Sequence, residues 1–598
     1  APDGRRTNRT RVALRILKRE GRTEARAVAA YLHPADKLRQ LSAWLQAPGG
    51  TVRRFGRNDV VDVSLDPEVL YSEARTAVID ASAETAEGAL FVWEAITEEP
   101  AAHAQGVCIL QHRLPVAVAR CQLRLPQGWH ATGDMLDHAP LAPVATGDGL
   151  RWEVHNLPAL KVEPLAPPPD QQAARIHFDL QPPPPARGRP PLLRSFPSWA
   201  DLAQFARVRF APASSTTPAI RTQVQTLCAG KTTPWEKTCA IAEFVQGLRY
   251  VAIAANLRSD GGFTPRPAPT VLATGYGDCK DKTSLLCALL ADAGIPAYPV
   301  LCYSGDRDAV HPEWPSPSQF NHMVAAIRVE GTPDSPHCVD DPQAGRLLLF
   351  DPTDQFTRIG GFPLSNQGSL VLVCTPTAER LTRVPFAPPS DNSITRVLKA
   401  NITPDGTVSV ESTETDRGAA AAAERHRRNE CAKRKQPIAD SLKESIPGAL
   451  YLQVETCDLP DADACTLTAR FSIAKYAQPV GKDMFAIRPV LVGGLQFSPL
   501  NKKERTRPIR LHSTELEYVA NFSIPAGYRA VETGADIRLE QPFGTYEAST
   551  TVDGTTVVFR RKLVLQPTVI PPSGYEELRT FLDAARRREK TPLIIERQ

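Results

Sequence analysis

The sequence lacks any long apolar run and any strong excess of charge. Nothing in its 598 residues approaches the roughly 18 consecutive apolar residues that indicate a transmembrane helix, so we predict no integral membrane span. The formal net charge is only +4, which is small for this length. Composition therefore gives no support for nucleic acid or an anionic membrane as a partner.

Cysteine is too sparse for a disulfide scaffold, with 12 residues in 598. Cys457 and Cys465 bear on the compartment, because they end and begin two alternating strand patterns. In a hairpin they would face each other at the loop end, where a disulfide can form outside the reducing cytosol. Two half-buried free thiols are a nearly equal alternative. The chain also begins Ala1-Pro2-Asp3 instead of with methionine, so we expect that a segment was removed, either an export signal or a trimmed terminus.

The length predicts roughly three to four domains. The 55 prolines favour loops and β-edges over an all-helical protein. We predict a β-rich N-terminal domain over residues 1–185, interrupted by one helix from Pro34 to Leu45 whose apolar residues have helical spacing. A proline cluster between Pro182 and Pro191 predicts a stiff connector and the first domain boundary.

Residues 192–385 change to a helical period followed by short strands. Ser198 predicts one helix start, and Thr233-Pro234-Trp235-Glu236 predicts another, with an N-cap threonine, proline at the first position and an acid at the third. A leucine-rich helix begins at Cys279 and ends near Gly294. Strands are predicted at residues 249–253, 298–303, 322–329 and 347–351. Helices followed by a helix packed on an antiparallel sheet predict an α+β core.

Residues 390–598 return to a β-rich pattern. Two segments, Gly418 to Lys435 and Tyr575 to Arg588, predict helices instead. The first contains a basic run at residues 425–435, which we interpret as a solvated helix face, with polyanion binding as the weaker alternative. The predicted fold class is therefore multidomain α+β, with the core between two β-rich, sandwich-like domains.

Three residues carry the case for chemistry: Cys279, His322 and Asp351. They occur in this order, 43 and 29 residues apart, at a helix start, a strand start and a strand end. Only a folded core brings together residues so far apart. A thiol nucleophile, a histidine base and a carboxylate that orients the base form the arrangement that activates cysteine for attack on a carbonyl.

The predicted elements suit these roles. The positive end of the helix dipole and the free backbone N–H groups face the sulfur of Cys279 and favour its thiolate, and the Cys279 N–H is a natural donor to an oxyanion. His322 projects from its strand, and Asp351 is placed to fix the tautomer of the ring. Each residue alone has a plainer explanation, as a core cysteine, an exposed histidine or a turn aspartate. Their joint order on helix, strand and strand favours catalysis.

A metal site is the weaker alternative. His311, His322, His337 and Cys338 are residue types that bind zinc, but no pair has the tight ligand spacing within one element. We therefore predict neither a metal nor a cofactor. The charged residues beside Cys279 are interpreted as support for the helix start.

Four short motifs surround the three candidate residues. They are Gly277-Asp278-Cys279-Lys280-Asp281-Lys282, Gly294-Ile295-Pro296-Ala297, Phe320-Asn321-His322 and Phe350-Asp351-Pro352-Thr353. Over about residues 230–375 the sequence resembles the bacterial transglutaminase-like superfamily, and the segments 250–253 and 262–266 also fit. Asp59–Val63 and Tyr71-Ser72 resemble, more weakly, the β-rich domain of unknown function that often precedes this core in exported bacterial proteins.

The resemblance implies a papain-like core in which Cys279 is the nucleophile, His322 the general base and Asp351 its orienter. The implied reaction is attack on an amide carbonyl to give an acyl-enzyme thioester, which water or an amine resolves. We expect a peptidase or amidase first and a transamidase second, with a peptide or protein substrate. The alternative is a non-catalytic binding or assembly module with a vestigial core. Export to the periplasm or the exterior of a bacterial cell is expected, and no signal for an oligomeric state is present.

Overall fold

The computed structural model describes residues 5–64, 74–100, 103–136, 138–168, 172–184, 193–251, 262–331, 334–443, 448–459, 463–495, 500 and 502–598. Within these residues, no helix is both long and apolar enough to cross a membrane.

Two sheets that share one apolar core form the first part of the chain. Their strands are β1 (Arg5–Arg15), β2 (Arg26–Leu32), β3 (Lys37–Gln46), β4 (Val52–Phe55), β5 (Val61–Ser64), β6 (Ala74–Asp80) and β7 (Leu90–Pro100). The larger sheet has the order β1-β7-β3-β4 and the smaller β2-β6-β5. Apolar residues face the core at alternate positions, as in β2, where Ala27 and Ala29 are buried between exposed neighbours.

The helix predicted from Pro34 to Leu45 is wrong, because most of this segment is the strand β3. A β-bulge between Leu38 and Gln40 inserts one residue into the strand. The bulge shifts the alternation by one position, so Leu38 and Leu41, three residues apart, both pack on the core. The three-residue spacing that we interpreted as the apolar face of a helix is therefore produced by a bulged strand.

A second pair of sheets completes the N-terminal region. The strands are β8 (Gln105–Ile109), β9 (Val116–Arg124), β10 (His130–Met135), β11 (Val144–Thr146), β12 (Gly149–Leu157) and β13 (Arg175–Gln181). One sheet has the order β10-β13-β8 and the other β11-β12-β9. Their facing sides bury a common cluster around Trp152, which is fully buried. Both parts of the region are thus small β-sandwiches, each with its own core.

The middle of the chain is an α+β core, as predicted. Its helices are α1 (Trp199–Ala213), α2 (Pro218–Leu227), α3 (Pro234–Gly247), α4 (Ala268–Thr274) and α5 (Cys279–Asp292). Its strands are β14 (Arg249–Tyr250), β15 (Tyr276–Gly277), β16 (Ala297–Cys302), β17 (His322–Arg328), β18 (Cys338–Asp341), β19 (Gly345–Phe350), β20 (Leu370–Val373) and β21 (Thr382–Arg383). The main sheet has the order β18-β19-β17-β16-β20-β21 and is antiparallel.

Local signals fix the helix starts of this core. Ser198 caps α1, and Thr233 caps α3 in a reciprocal capping box with Glu236, as predicted. The leucines of α5 pack between α2, α3 and the sheet, where they meet Ala325, Ile327 and Phe350. Because it is buried on all sides, α5 is the central helix of the core.

A large sheet dominates the C-terminal region. Its strands and those of two smaller sheets are β22 (Ser393–Ile402), β23 (Val408–Arg417), β24 (Ala449–Leu459), β25 (Ala464–Ile473), β26 (Gln478–Val480), β27 (Met484–Ile487), β28 (Ile509–Leu511), β29 (Thr514–Ser523), β30 (Tyr528–Glu532), β31 (Ile537–Gln541), β32 (Gly544–Asp553), β33 (Thr556–Leu565), β34 (Thr568–Ile570) and β35 (Leu593–Arg597). The helices are α6 (Ala419–Lys433), α7 (Ile438–Lys443) and α8 (Tyr575–Lys590). The large sheet has the order β24-β25-β23-β22-β29-β33-β32-β31, and α8 packs on it through Leu578, Phe581 and Leu582.

The basic run on α6 is only partly the solvated face that we predicted. Lys433 and Arg434 are exposed, but the Arg425 side chain is only 10% exposed. Its guanidinium pairs with Asp458 and Asp463 and donates to a carbonyl oxygen of the core, that of Phe356. The prediction is therefore wrong for Arg425, which joins the C-terminal region to the core.

The predicted Cys457–Cys465 disulfide is also wrong. The two strands do form a hairpin, but Cys457 pairs with Thr466 and Cys465 pairs with Asp458. Neighbouring residues of a strand point to opposite faces. Cys457 is accordingly exposed, Cys465 is buried, and both are free thiols.

Polar contacts join the three regions. Glu163 accepts hydrogen bonds from the backbone N–H and the hydroxyl of Thr506, which ties the N-terminal region to the C-terminal one. The Arg510 guanidinium pairs with the buried carboxylate of Asp306 in the core. The Arg510 N–H also donates to the carbonyl oxygen of Leu165. Charged and backbone groups of the C-terminal region thus contact both preceding regions.

The domain boundaries at residues 1–185, 192–385 and 390–598 remain predictions. Residues 185–192, which hold part of the proline cluster, lie outside the described residues. The predicted strand at residues 249–253 is also only partly described, since the description stops at residue 251.

Candidate active site

Cys279 is the first residue of α5, as predicted. Asp278 is the N-cap, and its side chain accepts a hydrogen bond of 3.1 Å from the Asp281 N–H, while the Asp281 carboxylate accepts one of 3.4 Å from the Asp278 N–H. This reciprocal capping box fixes the direction in which the helix starts. The Cys279 N–H is one of the first helical donors, which have no acceptor within the helix. The thiol therefore lies beside free donors at the positive end of the helix dipole.

The charged residues after Cys279 anchor the helix start. The Asp281 carboxylate is 1% exposed and accepts two hydrogen bonds of 2.8 Å from the backbone N–H and Nε of Arg266. Gly277 leaves room for this pair, because a Cβ there would lie 2.7 Å from the Asp281 Cβ. The interpretation of these residues as structural support agrees with the contacts that they make.

Lys282 connects α5 to the end of α3. Its side chain is fully buried, and Nζ donates to the carbonyl oxygens of Gln246 and Leu248 at 3.1 and 3.0 Å. Burial lowers the pKa of Lys282 to about 8, although the Asp351 carboxylate acts in the opposite direction. The Gln246 side chain in turn donates to the carbonyl oxygens of Asp354 and Thr357. The end of α3 thus contacts both the nucleophile helix and the loop that follows Asp351.

His322 and Asp351 lie at the same end of adjacent strands. His322 begins β17, Asp351 follows β19, and the two strands pair antiparallel. His322 Nε2 is 2.9 Å from Asp351 Oδ2. The other carboxylate oxygen accepts from the N–H and the hydroxyl of Thr353 at 2.8 and 2.7 Å. The orientation of the carboxylate is therefore fixed from both sides.

The Cys279 thiol is also close enough to His322 to favour the protonated ring. Burial alone would lower the pKa of His322. The hydrogen bond to Asp351, the interaction with Cys279 and the charges of both residues outweigh burial and raise this pKa to about 10. The same pairing lowers the pKa of Asp351, against the effect of its burial. The fold therefore brings all three predicted residues together, and the imidazolium is favoured at neutral pH.

Tyr250 is a neighbour of the thiol that sequence analysis did not single out. It belongs to β14, which pairs in parallel with β15 so that Tyr250 lies opposite Gly277, two residues before Cys279. The residue is 46% exposed. Its partial burial and the negative charges of Cys279, Asp278 and Asp351 raise the pKa of the phenol, so the hydroxyl keeps its proton and is a donor. The sequence signal for Tyr250 was only its membership of a motif.

Aromatic side chains form one side of the site. Phe263, Tyr303 and Phe320 pack with Cys279 against a cluster that contains Trp199 and Phe205. The half-buried thiol thus lies at the edge of an apolar cluster.

The histidines considered for zinc serve other roles. His311 Nε2 is 3.0 Å from an Arg175 guanidinium nitrogen, and the buried His337 packs on Phe362. In the part of the chain that the structure describes, no group of three histidine, cysteine, aspartate or glutamate residues is placed to hold a metal ion.

Three segments of the chain match known family models. Residues 221–339, which include Cys279 and His322, match the model of the transglutaminase-like superfamily. The chain therefore contains a transglutaminase-like core. In this transglutaminase-like protein, residues 2–161 match the domain of unknown function DUF3857, and residues 482–595 match the domain of unknown function DUF3858. The predicted resemblance, including the N-terminal domain of unknown function, is confirmed.

Solved structures support the fold. A "putative protease" from Parabacteroides distasonis has a TM-score of 0.65 and 15% sequence identity, with 99% of this chain and 96% of that chain covered. At this identity the likeness establishes a shared fold over the whole chain. A "putative cysteine protease" from Cytophaga hutchinsonii, with a TM-score of 0.16, 8% identity and coverage of 58% of this chain and 78% of that chain, adds no further argument. No curated protein matches the sequence.

Proposed function

We propose that this transglutaminase-like protein is a cysteine-dependent amide or peptide hydrolase that acts through Cys279, His322 and Asp351. The observation that carries the proposal is the hydrogen bond between His322 and the buried Asp351 carboxylate, with the Cys279 thiol at a helix start close enough to affect the protonation of the ring. A His322 pKa of about 10 favours the charged imidazolium beside the sulfur, which is the state that activates a thiol as a nucleophile.

The reaction follows from the positions of these groups. The Cys279 sulfur attacks the carbonyl carbon of an amide, which forms a carbon–sulfur bond and places negative charge on the carbonyl oxygen. The imidazolium of His322 gives its proton to the leaving nitrogen as the carbon–nitrogen bond breaks. Water, deprotonated by the neutral imidazole, then attacks the thioester and releases the acid and the free thiol. Asp351 keeps the ring in the tautomer that both steps require.

Two donors are available for the oxyanion. The Cys279 N–H at the start of α5 is one. We propose the Tyr250 hydroxyl as the other, because β14 pairs with β15 and places Tyr250 opposite Gly277, two residues before Cys279. Tyr250→Phe should therefore lower kcat by roughly 10²–10³-fold with little change in KM. The matched control is Tyr298→Phe on β16, which should keep full activity.

The proposed substrate is a peptide or protein, with hydrolysis preferred over transamidation. Water reaches any open site, whereas an amine acceptor requires a second binding surface. The aromatic side chains Phe263, Tyr303 and Phe320 beside the thiol suit an apolar side chain next to the scissile amide.

The test uses a tryptic digest of a bacterial protein extract as a mixture of peptide substrates. Wild-type protein should produce new peptide ends, which mass spectrometry detects, and Cys279→Ala should produce none. A parallel reaction with dansylcadaverine reports transamidation as dansyl-labelled glutamine peptides. Cys457→Ser removes an exposed thiol and serves as the control that keeps full activity.

Failure of this test has a defined meaning. If neither new ends nor labelled peptides appear, and no acyl adduct of Cys279 forms, the hydrolase proposal is refuted and the non-catalytic module replaces it. Labelled glutamine peptides without new ends would establish transamidation instead.

A further inference from the structure

Two cysteines face each other in the second sandwich of the N-terminal region. Cys108 lies on β8 and Cys121 on β9, so they belong to the two different sheets of that sandwich. The hydrolase site does not include either residue. Both belong to one apolar cluster, with Cys121 3% exposed and Cys108 half-buried.

The strand registers show that both side chains point inward. Cys108 lies directly opposite Ile176 in one sheet, and Cys121 lies directly opposite Trp152 in the other. Residues directly opposite in an antiparallel pair point to the same face. Ile176 and Trp152 are fully buried between the sheets, so the two cysteines point toward each other across the core.

Both are free thiols in the structure, and each is close enough to affect the protonation of the other. The interaction with Cys121 lowers the pKa of Cys108 against the effect of burial, while the interaction with Cys108 and burial raise the pKa of Cys121. Cys108 is therefore the more readily ionised of the two, and it is also the more exposed.

We propose that Cys108 and Cys121 form a disulfide that links the two sheets of this sandwich. With oxidised glutathione as oxidant, the Cys108 thiolate attacks one glutathione sulfur and releases the first glutathione thiolate. Cys121 loses its proton and attacks the Cys108 sulfur of the mixed disulfide, which releases the second glutathione thiolate. The two cysteines are oxidised by two electrons, the glutathione disulfide is reduced by two, and the two protons pass to the released thiolates.

Cys108 and Cys121 thus replace Cys457 and Cys465 as the disulfide pair that bears on the compartment. Such a bond persists outside the reducing cytosol. It closes a loop between positions 13 residues apart and links the two sheets of the sandwich covalently. The proposed disulfide agrees with the expected export, which stays a proposal, and does not depend on the hydrolase site.

The test is a thiol map of the intact protein. Protein incubated with oxidised glutathione is alkylated, digested with trypsin without reduction, and analysed by mass spectrometry. Cleavage after Arg75, Arg113, Arg120 and Arg124 places the cysteines in two peptides, residues 76–113 and 121–124. The expected product is these two peptides joined, which separate on reduction. The joined product should be absent from Cys121→Ser and Cys108→Ser and unchanged in the control Cys457→Ser.

Thermal unfolding provides the second measurement. Oxidation should raise the unfolding midpoint of the wild type by roughly 5–10 °C relative to the reduced protein. Each serine variant is compared with itself in the two redox states, so any loss of stability from the substitution cancels. Free Cys108 and Cys121 after oxidation, or stable glutathione adducts on Cys108, would overturn the proposal.

Discussion

Replacement of Asp351 by asparagine removes one charge from the site and keeps the shape of the side chain. The 2.9 Å contact between Asp351 Oδ2 and His322 Nε2 corresponds to an attraction of about 6 kcal/mol between unit charges at an effective dielectric constant of 20. The rise in the His322 pKa from 6.5 to about 10 corresponds to about 5 kcal/mol of stabilisation of the imidazolium. Cys279 also contributes to this stabilisation, and burial opposes it. Both values place the contribution of the carboxylate at several kcal/mol.

The variant should also change the tautomer of His322. Thr353 donates its N–H and its hydroxyl to Asp351 Oδ1, so the amide oxygen of an asparagine would take that place and its NH₂ group would face His322. An NH₂ group only donates, so Nε2 would become an acceptor and the ring proton would move to Nδ1. Because Nδ1 is the nitrogen left for the thiol, the ring would lose its capacity to accept the thiol proton. We expect Asp351→Asn to lower peptide cleavage by roughly 10³–10⁴-fold.

Alkylation measures the same effect without a substrate. At pH 6, iodoacetamide should label wild-type Cys279 at least about tenfold faster than the exposed Cys457, since an ordinary thiol is almost fully protonated at this pH. In Asp351→Asn the rate at Cys279 should fall toward that of Cys457. The matched control is Asp341→Asn, which changes another hydrogen-bonded carboxylate of the same sheet. Equal rates at Cys279 and Cys457 in the wild type, or an unchanged Cys279 rate in Asp351→Asn, would refute the reasoning.

Two further predictions concern the nucleophile helix. Lys282→Met removes a buried amine whose pKa is lowered from 10.5 to about 8. Between pH 8 and 10.5 the amine is neutral in the folded protein and protonated in the unfolded chain, so stability rises with pH. Over this range the wild type should gain about 3 kcal/mol of unfolding free energy relative to the variant. Urea unfolding at several pH values measures this difference, and a constant difference would contradict the assigned burial of the charge. Gly277→Ala should lower stability by roughly 1–3 kcal/mol and slow alkylation of Cys279, because its Cβ would lie 2.7 Å from the Asp281 Cβ. The control is Gly247→Ala, because no atom lies within 4 Å of the added Cβ. This variant should be nearly neutral in the same urea and alkylation measurements. Similar losses in both variants would contradict the steric argument.

Much of the core followed from local sequence signals. Thr233 with Glu236 and Asp278 with Asp281 form the capping boxes at two helix starts. These contacts span three residues, so their chemistry is readable without the fold. The order of cysteine, histidine and aspartate on helix, strand and strand was equally local. The same signals also indicated the family.

The face of a strand on which each side chain lies could not be predicted from the sequence. One extra residue at the bulge near Leu38 turned a strand into an apparent helix, and a register offset of one placed Cys457 and Cys465 on opposite faces. A shift of one residue reverses every side chain of a strand while it leaves the composition unchanged. The pairing partner decides such a shift, and the partner is distant in sequence.

The sequence by itself determined the main elements of the core and the three residues that the core would bring together. The tertiary structure decided their neighbours: Tyr250 beside the thiol, Lys282 beneath the end of α3, and Cys108 against Cys121 between two sheets. These contacts join separate elements. Several also depend on burial, because the pKa of a buried lysine, tyrosine or thiol responds to nearby charges that water would otherwise screen. The physical reason is that capping and periodicity act within one element, whereas burial and register exist only once the elements have packed.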